Sequence, residues 1–156
     1  MTQTIDTATD TVTPTAPRRR LRDADITVAY ALARIGLGIN IMLHGWMRIP
    51  GIEAFQTRLH EQFANTFLPV FLLDIASYGI LFTEATIGPF LIAGLFVRQA
   101  LIGLGMLFII LLFGTCLSQQ FGTATTQMTY MIFFIPLLAG VVYDGYSIDA
   151  LRRGSR

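Results

Sequence analysis

Four long apolar runs divide the chain: Ile26–Trp46 with 21 residues, Phe67–Phe96 with 30, Gln99–Ser118 with 20 and Met128–Tyr143 with 16. A helix needs about 20 mainly apolar residues to cross a bilayer. Backbone groups in hydrocarbon must pair within their own segment, so runs of this kind are helices and not open strands. The reading is an all-α, four-transmembrane-helix antiparallel bundle. The second run is long enough to tilt or to include interfacial residues. A large soluble core of buried helices is a remote alternative.

Polar stretches frame these runs. Residues 1–25 are Thr-rich, lack aromatics and carry Arg18, Arg19, Arg20 and Arg22. Such a segment buries too little surface to offset its chain entropy, so a disordered tail is expected. The basic run comes too late for a cleavable signal peptide, and no small-residue cleavage site follows it. The membrane domain covers residues 26–146, and residues 147–156 form a basic tail. In the first connection, Ile52, Phe55, Leu59 and Phe63 recur at helical spacing opposite Glu53, Gln56, Arg58, His60 and Glu61. This predicts a short amphipathic helix between spans one and two, lying on the outer membrane surface. A loop packed over the bundle mouth fits the same pattern.

Composition sharpens the picture. Apolar residues make up 53% of the chain and charged ones 13%, against roughly 25% charged in a soluble domain. The net charge of +1 argues against a nucleic-acid partner. All eleven basic residues are Arg. Their placement sets orientation: eight flank one side, counting both ends and Arg98, whereas only Arg48 and Arg58 lie on the other. Both termini are therefore expected in the cytoplasm. A single cysteine, Cys116, excludes an intrachain disulfide and a thiolate zinc site. No cofactor or metal motif is present.

The informative residues are ionisable groups within the spans: Arg34 and His44 in the first, Asp74 and Glu84 in the second. Each charge costs roughly 2.5–3.5 kcal/mol at mid-membrane, so such groups face the interior and pair. Both pairs of positions are ten residues apart. An antiparallel packing that levels Arg34 with Glu84 also levels His44 with Asp74. The expectation is an inner Arg34–Glu84 ion pair and an outer His44–Asp74 pair, with Asn40 one turn before His44. Docking of helices and a ligand or proton site are equally consistent with buried pairs. Pro89 is expected to free the carbonyl of Ala85.

The stretch His44-Gly45-Trp46-Met47-Arg48-Ile49-Pro50-Gly51 resembles the H-G-x-x-K-φ-x-G segment of DoxX-type membrane proteins, with Arg48 where Lys is usual. Arg34-Ile35-Gly36-Leu37-Gly38 is similar to that family's R-φ-x-φ-G opening. Glu84-Ala85-Thr86-Ile87-Gly88 with Ala93-Gly94-Leu95-Phe96-Val97-Arg98 is similar to its E-φ-x-x-G…G-φ-x-x-R pattern. The resemblance to the DoxX/DoxD superfamily implies a four-helix bundle in the cytoplasmic membrane. It points to Arg34, His44, Gly45, Arg48 and Glu84.

The resemblance also implies a subunit of a quinone-linked oxidoreductase complex. Asn40, His44, Arg48 and Asp74 are then the candidate quinone or ligand site, and His44 and Asp74 the candidates for catalysis. The electron-carrying cofactor would come from a partner. A non-catalytic membrane assembly or scaffold protein is the alternative, and a small proton-coupled transporter using Glu84 a weaker one. The expected partners are the lipid bilayer and either another protein or a second copy of the chain.

Overall fold

The computed structural model describes residues 17–154. Among the described residues 87% are helical and none lies in a strand. Helix α1 spans Pro17–Arg48 and passes through a 3-10 turn, Ile49–Gly51, into α2, Ile52–Phe63. Helices α3, Val70–Ala93, α4, Val97–Leu117, and α5, Phe121–Ala139, follow. A second 3-10 turn, Val141–Tyr143, leads to the short α6, Ile148–Gly154.

Three segments are long and apolar enough to cross a membrane: Asp23–Phe63, Val70–Ala93 and Val97–Leu117. The chain is therefore a multi-pass membrane protein. Helix α5 does not join the three, because it opens on the weakly apolar stretch 122–127. Large side chains such as Leu32, Met47, Phe82, Phe113 and Ile132 point outward, as suits helices solvated by lipid.

Helices α1 and α3 also carry a buried stripe at the 3.6-residue period. In α1 the stripe runs Tyr30, Arg34, Leu37, Ile41 and Gly45; in α3 it runs Leu73, Ser77, Ile80, Glu84, Ile87 and Leu91. These two helices pack antiparallel at very short range. A Cβ on Gly88 would lie 2.5 Å from the Met42 Cα, one on Gly45 would overlap the backbone of Ala85, and one on Gly38 would sit 3.0 Å from the Gly88 carbonyl. The absence of side chains at these glycines lets the backbones touch. An apolar cluster centres on Leu101, Leu104 and Phe108 of α4, against Phe134 and Leu137 of α5.

Two boundaries differ from expectation. Residues 17–25, expected in the polar tail, belong to α1. Proline suits the first helical turn, and extending an existing helix is far easier than nucleating one. The rest of the expected disordered segment, residues 1–16, lies outside the described residues. The C-terminal stretch is not a free tail either, since residues 148–154 form α6. Its Asp149 caps α4: the Val97 N–H donates to Asp149 Oδ2 at 2.9 Å, and the Asp149 N–H donates to the Gly94 carbonyl at 3.0 Å.

Helix α3 ends on Gly94, which adopts φ 68°. The Leu95 N–H reaches back to the Phe90 carbonyl at 2.9 Å, closing the helix in a Schellman turn. Glycine is required twice over here, because a Cβ would also meet Ser147 and the Arg34 guanidinium. At the opposite end, α2 folds back over α3 and α4.

Candidate functional site

Two polar centres lie at opposite ends of the α1–α3 pair. The first is built on Arg34, whose side chain is 1% exposed. Its guanidinium donates to the Leu91 carbonyl, to that of Ile92 at 3.3 Å and to that of Tyr146 at 2.7 Å. Leu91 and Ile92 belong to the last turn of α3, where carbonyls lack intrahelical partners and a cation is favoured. The Arg34 Nε also faces Asp144 Oδ1 at 3.4 Å, and that carboxylate is equally buried. One turn earlier, the Tyr30 hydroxyl donates to the Leu137 carbonyl at 3.0 Å. Arg34 thus ties α1 to the end of α3 and to the segment after α5.

The second centre is the ion pair of Arg48 with Glu84. Arg48 leaves α1 at its last residue and also stacks on Phe55 of α2, 4.8 Å from the ring centroid. Glu84 sits on the buried stripe of α3, its side chain 6% exposed. Beside the pair lies a cavity of about 350 Å³ bounded by α2, α3, α4 and α5. Its walls are mainly apolar, including Leu59, Leu73, Ile80 and Leu111, and its polar groups come from Arg48, Gln62, Thr115, Thr123 and Gln127. Thr115 Oγ1 and Gln127 Oε1 are 2.9 Å apart and buried.

Helix α2 covers this cavity and is fastened by polar contacts. His60 Nε2 lies 2.8 Å from Asp74 Oδ1. Gln56 Nε2 donates to Ser77 Oγ at 3.1 Å, and Gln62 Nε2 donates to Ser118 Oγ at 2.8 Å. Phe63, the buried residue of α2, packs where Gly114 leaves room. The Trp46 indole N–H lies 3.4 Å from the Ala85 carbonyl. Pro89 leaves that carbonyl without its helical donor, as its position in α3 predicts.

The expected pairs are corrected. Arg34 meets Asp144 and not Glu84; Glu84 meets Arg48; Asp74 meets His60 and not His44. The reason is rotation as well as register. Ten residues make about 2.8 helical turns, so Arg34 and His44 lie about 80° apart around α1. Arg34 therefore points inward while His44 is exposed. Fourteen residues make about 3.9 turns, which returns Arg48 to the inward stripe. The close passage of Gly45 past Ala85 then levels Arg48 with Glu84.

Of the candidate ligand residues, Arg48 lines the cavity, whereas Asn40, His44 and Asp74 do not. Asn40 is half-buried, and its Oδ1 has no hydrogen-bond partner among the described residues. Asp144 is the residue that sequence reasoning missed. Its signal was an acidic side chain at the very end of the last apolar run. Among the described residues, no group of three or more His, Cys, Asp or Glu side chains is placed to hold a metal ion. Comparison with protein-family models, with curated proteins and with solved structures finds no match to this chain.

Proposed function

We propose that the chain is a DoxX-like subunit of a quinone-linked oxidoreductase complex in the cytoplasmic membrane. In this reading α1, α3, α4 and α5 cross the bilayer as a four-helix bundle, with both termini in the cytoplasm. Helix α2 is then the amphipathic element of the outer face. The observation that carries the reading is the apolar cavity beside Arg48 and Glu84. A quinone needs donors for its ring carbonyls and an apolar slot for the rest of the molecule. Arg48 and Gln127 are donors at the wall. Arg48 is held at that wall by its ion pair with Glu84, which itself lies outside the cavity lining. The electron-carrying cofactor belongs to a partner protein.

Purification in mild detergent, followed by solvent extraction, tests the proposal. Wild-type protein should retain quinone in near-stoichiometric amount. Ala76→Phe, which fills the cavity from α3, should lose it while remaining folded. Equal retention by the folded variant, or a wild type without quinone, overturns the reading.

The scaffold alternative draws on a different observation. His44 is exposed on α1 beside the exposed Leu43 and Met47. An imidazole on an outward face of a membrane helix is well placed to meet a partner protein. The transporter reading is weakened because Glu84 is engaged by Arg48.

A further inference from the structure

The Gly94 end of the molecule carries two further cavities, separate from the one beside Arg48. One, of about 430 Å³, lies between the α3–α4 turn, the segment after α5 and α6. Its walls include Arg98, Arg152 and Arg153, together with Asp144 and Asp149. Both carboxylates are turned to internal tasks: Asp144 faces the buried Arg34, and Asp149 accepts from the Val97 N–H. Arg153 donates to the Asp144 carbonyl at 3.0 Å, which anchors its guanidinium at the rim. The N-terminus of α4 is occupied by Asp149, so the excess positive charge here comes from side chains.

The other cavity, of about 390 Å³, runs between α4 and α5 and is walled by Ile102, Leu138, Ala139 and Val142. Arg98 and Val141 line both. A basic mouth therefore opens directly onto an apolar cleft on the outside of the bundle. We propose that this composite groove binds an anionic phospholipid, with the phosphate held by Arg98 and its neighbours and an acyl chain laid along Ile102 and Leu138. Guanidinium groups suit phosphate oxygens because their planar donors engage two at once. Basic pockets beside membrane helices commonly recognise such head groups. A free phosphate would use the mouth and leave the apolar half unused. A zwitterionic lipid would fill the cleft without supplying net negative charge.

The test is the melting midpoint of the purified full-length chain in mild detergent. The probes are phosphatidylglycerol, phosphatidylcholine and inorganic phosphate, added separately. Phosphatidylglycerol should raise the midpoint saturably, whereas equal concentrations of the other two should not. The double variant R98Q/R153Q should weaken the phosphatidylglycerol response about 30-fold, at roughly a factor of five to six for each arginine. Ile102→Trp, which blocks the cleft and leaves every arginine in place, should weaken it as well. It carries the test should the arginine variant fail to fold. An equal shift from phosphatidylcholine, a matching shift from inorganic phosphate, or an unchanged phosphatidylglycerol response in both variants overturns the proposal. None of these readouts depends on quinone.

Discussion

Arg34 and Asp144 meet at 3.4 Å, each with its side chain 1% exposed, although one lies in the first helix and the other beyond α5. Neither can be desolvated alone without a large cost. Arg34→Leu and Asp144→Leu should each destabilise the protein by about 3–5 kcal/mol, the cost of leaving one buried charge unpaired. The double variant should recover only part of this, because the carbonyls of Leu91 and Tyr146 would still lack the guanidinium. A double-mutant cycle of thermal stability in detergent should show strong coupling between positions 34 and 144. The same cycle between Arg34 and Glu84 should be additive within about 0.5 kcal/mol.

The glycines of α1 differ sharply in what surrounds them. Gly45→Ala should force α1 away from α3 and cost about 1–3 kcal/mol, as overpacking does. At Gly36, in the same helix, an added Cβ would have nothing within 4 Å. Gly36→Ala should therefore be neutral or stabilise by up to about 1 kcal/mol, through helix propensity alone. Melting midpoints of the two variants, compared under one detergent condition, check the contrast.

Asp149 acts on α4 from outside that helix, across the turn at Gly94. Removing a capping carboxylate costs about 1 kcal/mol. Asp149→Ala should show that loss, together with faster amide hydrogen exchange at Val97 and at residues of α6. Unchanged exchange at Val97 would mean that the cap contributes nothing measurable.

Arg48 combines an ion pair with a stack on Phe55. Lysine preserves the charge but lacks the planar group that does both. Arg48→Lys should therefore loosen α2 over the cavity while keeping Glu84 paired, and Arg48→Leu should cost about 3–5 kcal/mol by stranding Glu84. Limited proteolysis within residues 49–63 should accelerate in Arg48→Lys, even where the global melting midpoint changes little.

The helical character and membrane class were legible because lipid imposes a simple demand, apolar side chains all round each long segment. The interior was less legible. Cost marked Arg34, His44, Asp74 and Glu84 as inward-facing; the structure buries Arg34 and Glu84, leaves His44 exposed and leaves the Asp74 side chain 44% exposed. Their partners required the angle around each helix, and counting residues along an axis discards that angle. The offset of about 80° between His44 and Arg34 was available from the helical repeat alone. The register was not, since it depends on how closely Gly45 and Gly88 let two backbones approach. Asp144 escaped notice because it lies beyond the apolar run, where an acid looks like ordinary interfacial punctuation. Only the fold carries it back beneath α3.

The Arg34–Asp144 contact also imposes an order on biogenesis. Chains are synthesised from the N-terminus, so Arg34 enters the membrane before Asp144 exists. Through the insertion of α3 and α4, the arginine must be tolerated by water, lipid phosphates or the insertion machinery. The carbonyls at the end of α3 relieve it in part, and Asp144 completes its shell only when the segment after α5 emerges. A chain released before Asp144 is made therefore carries, within its first helix, a buried guanidinium without its counter-ion.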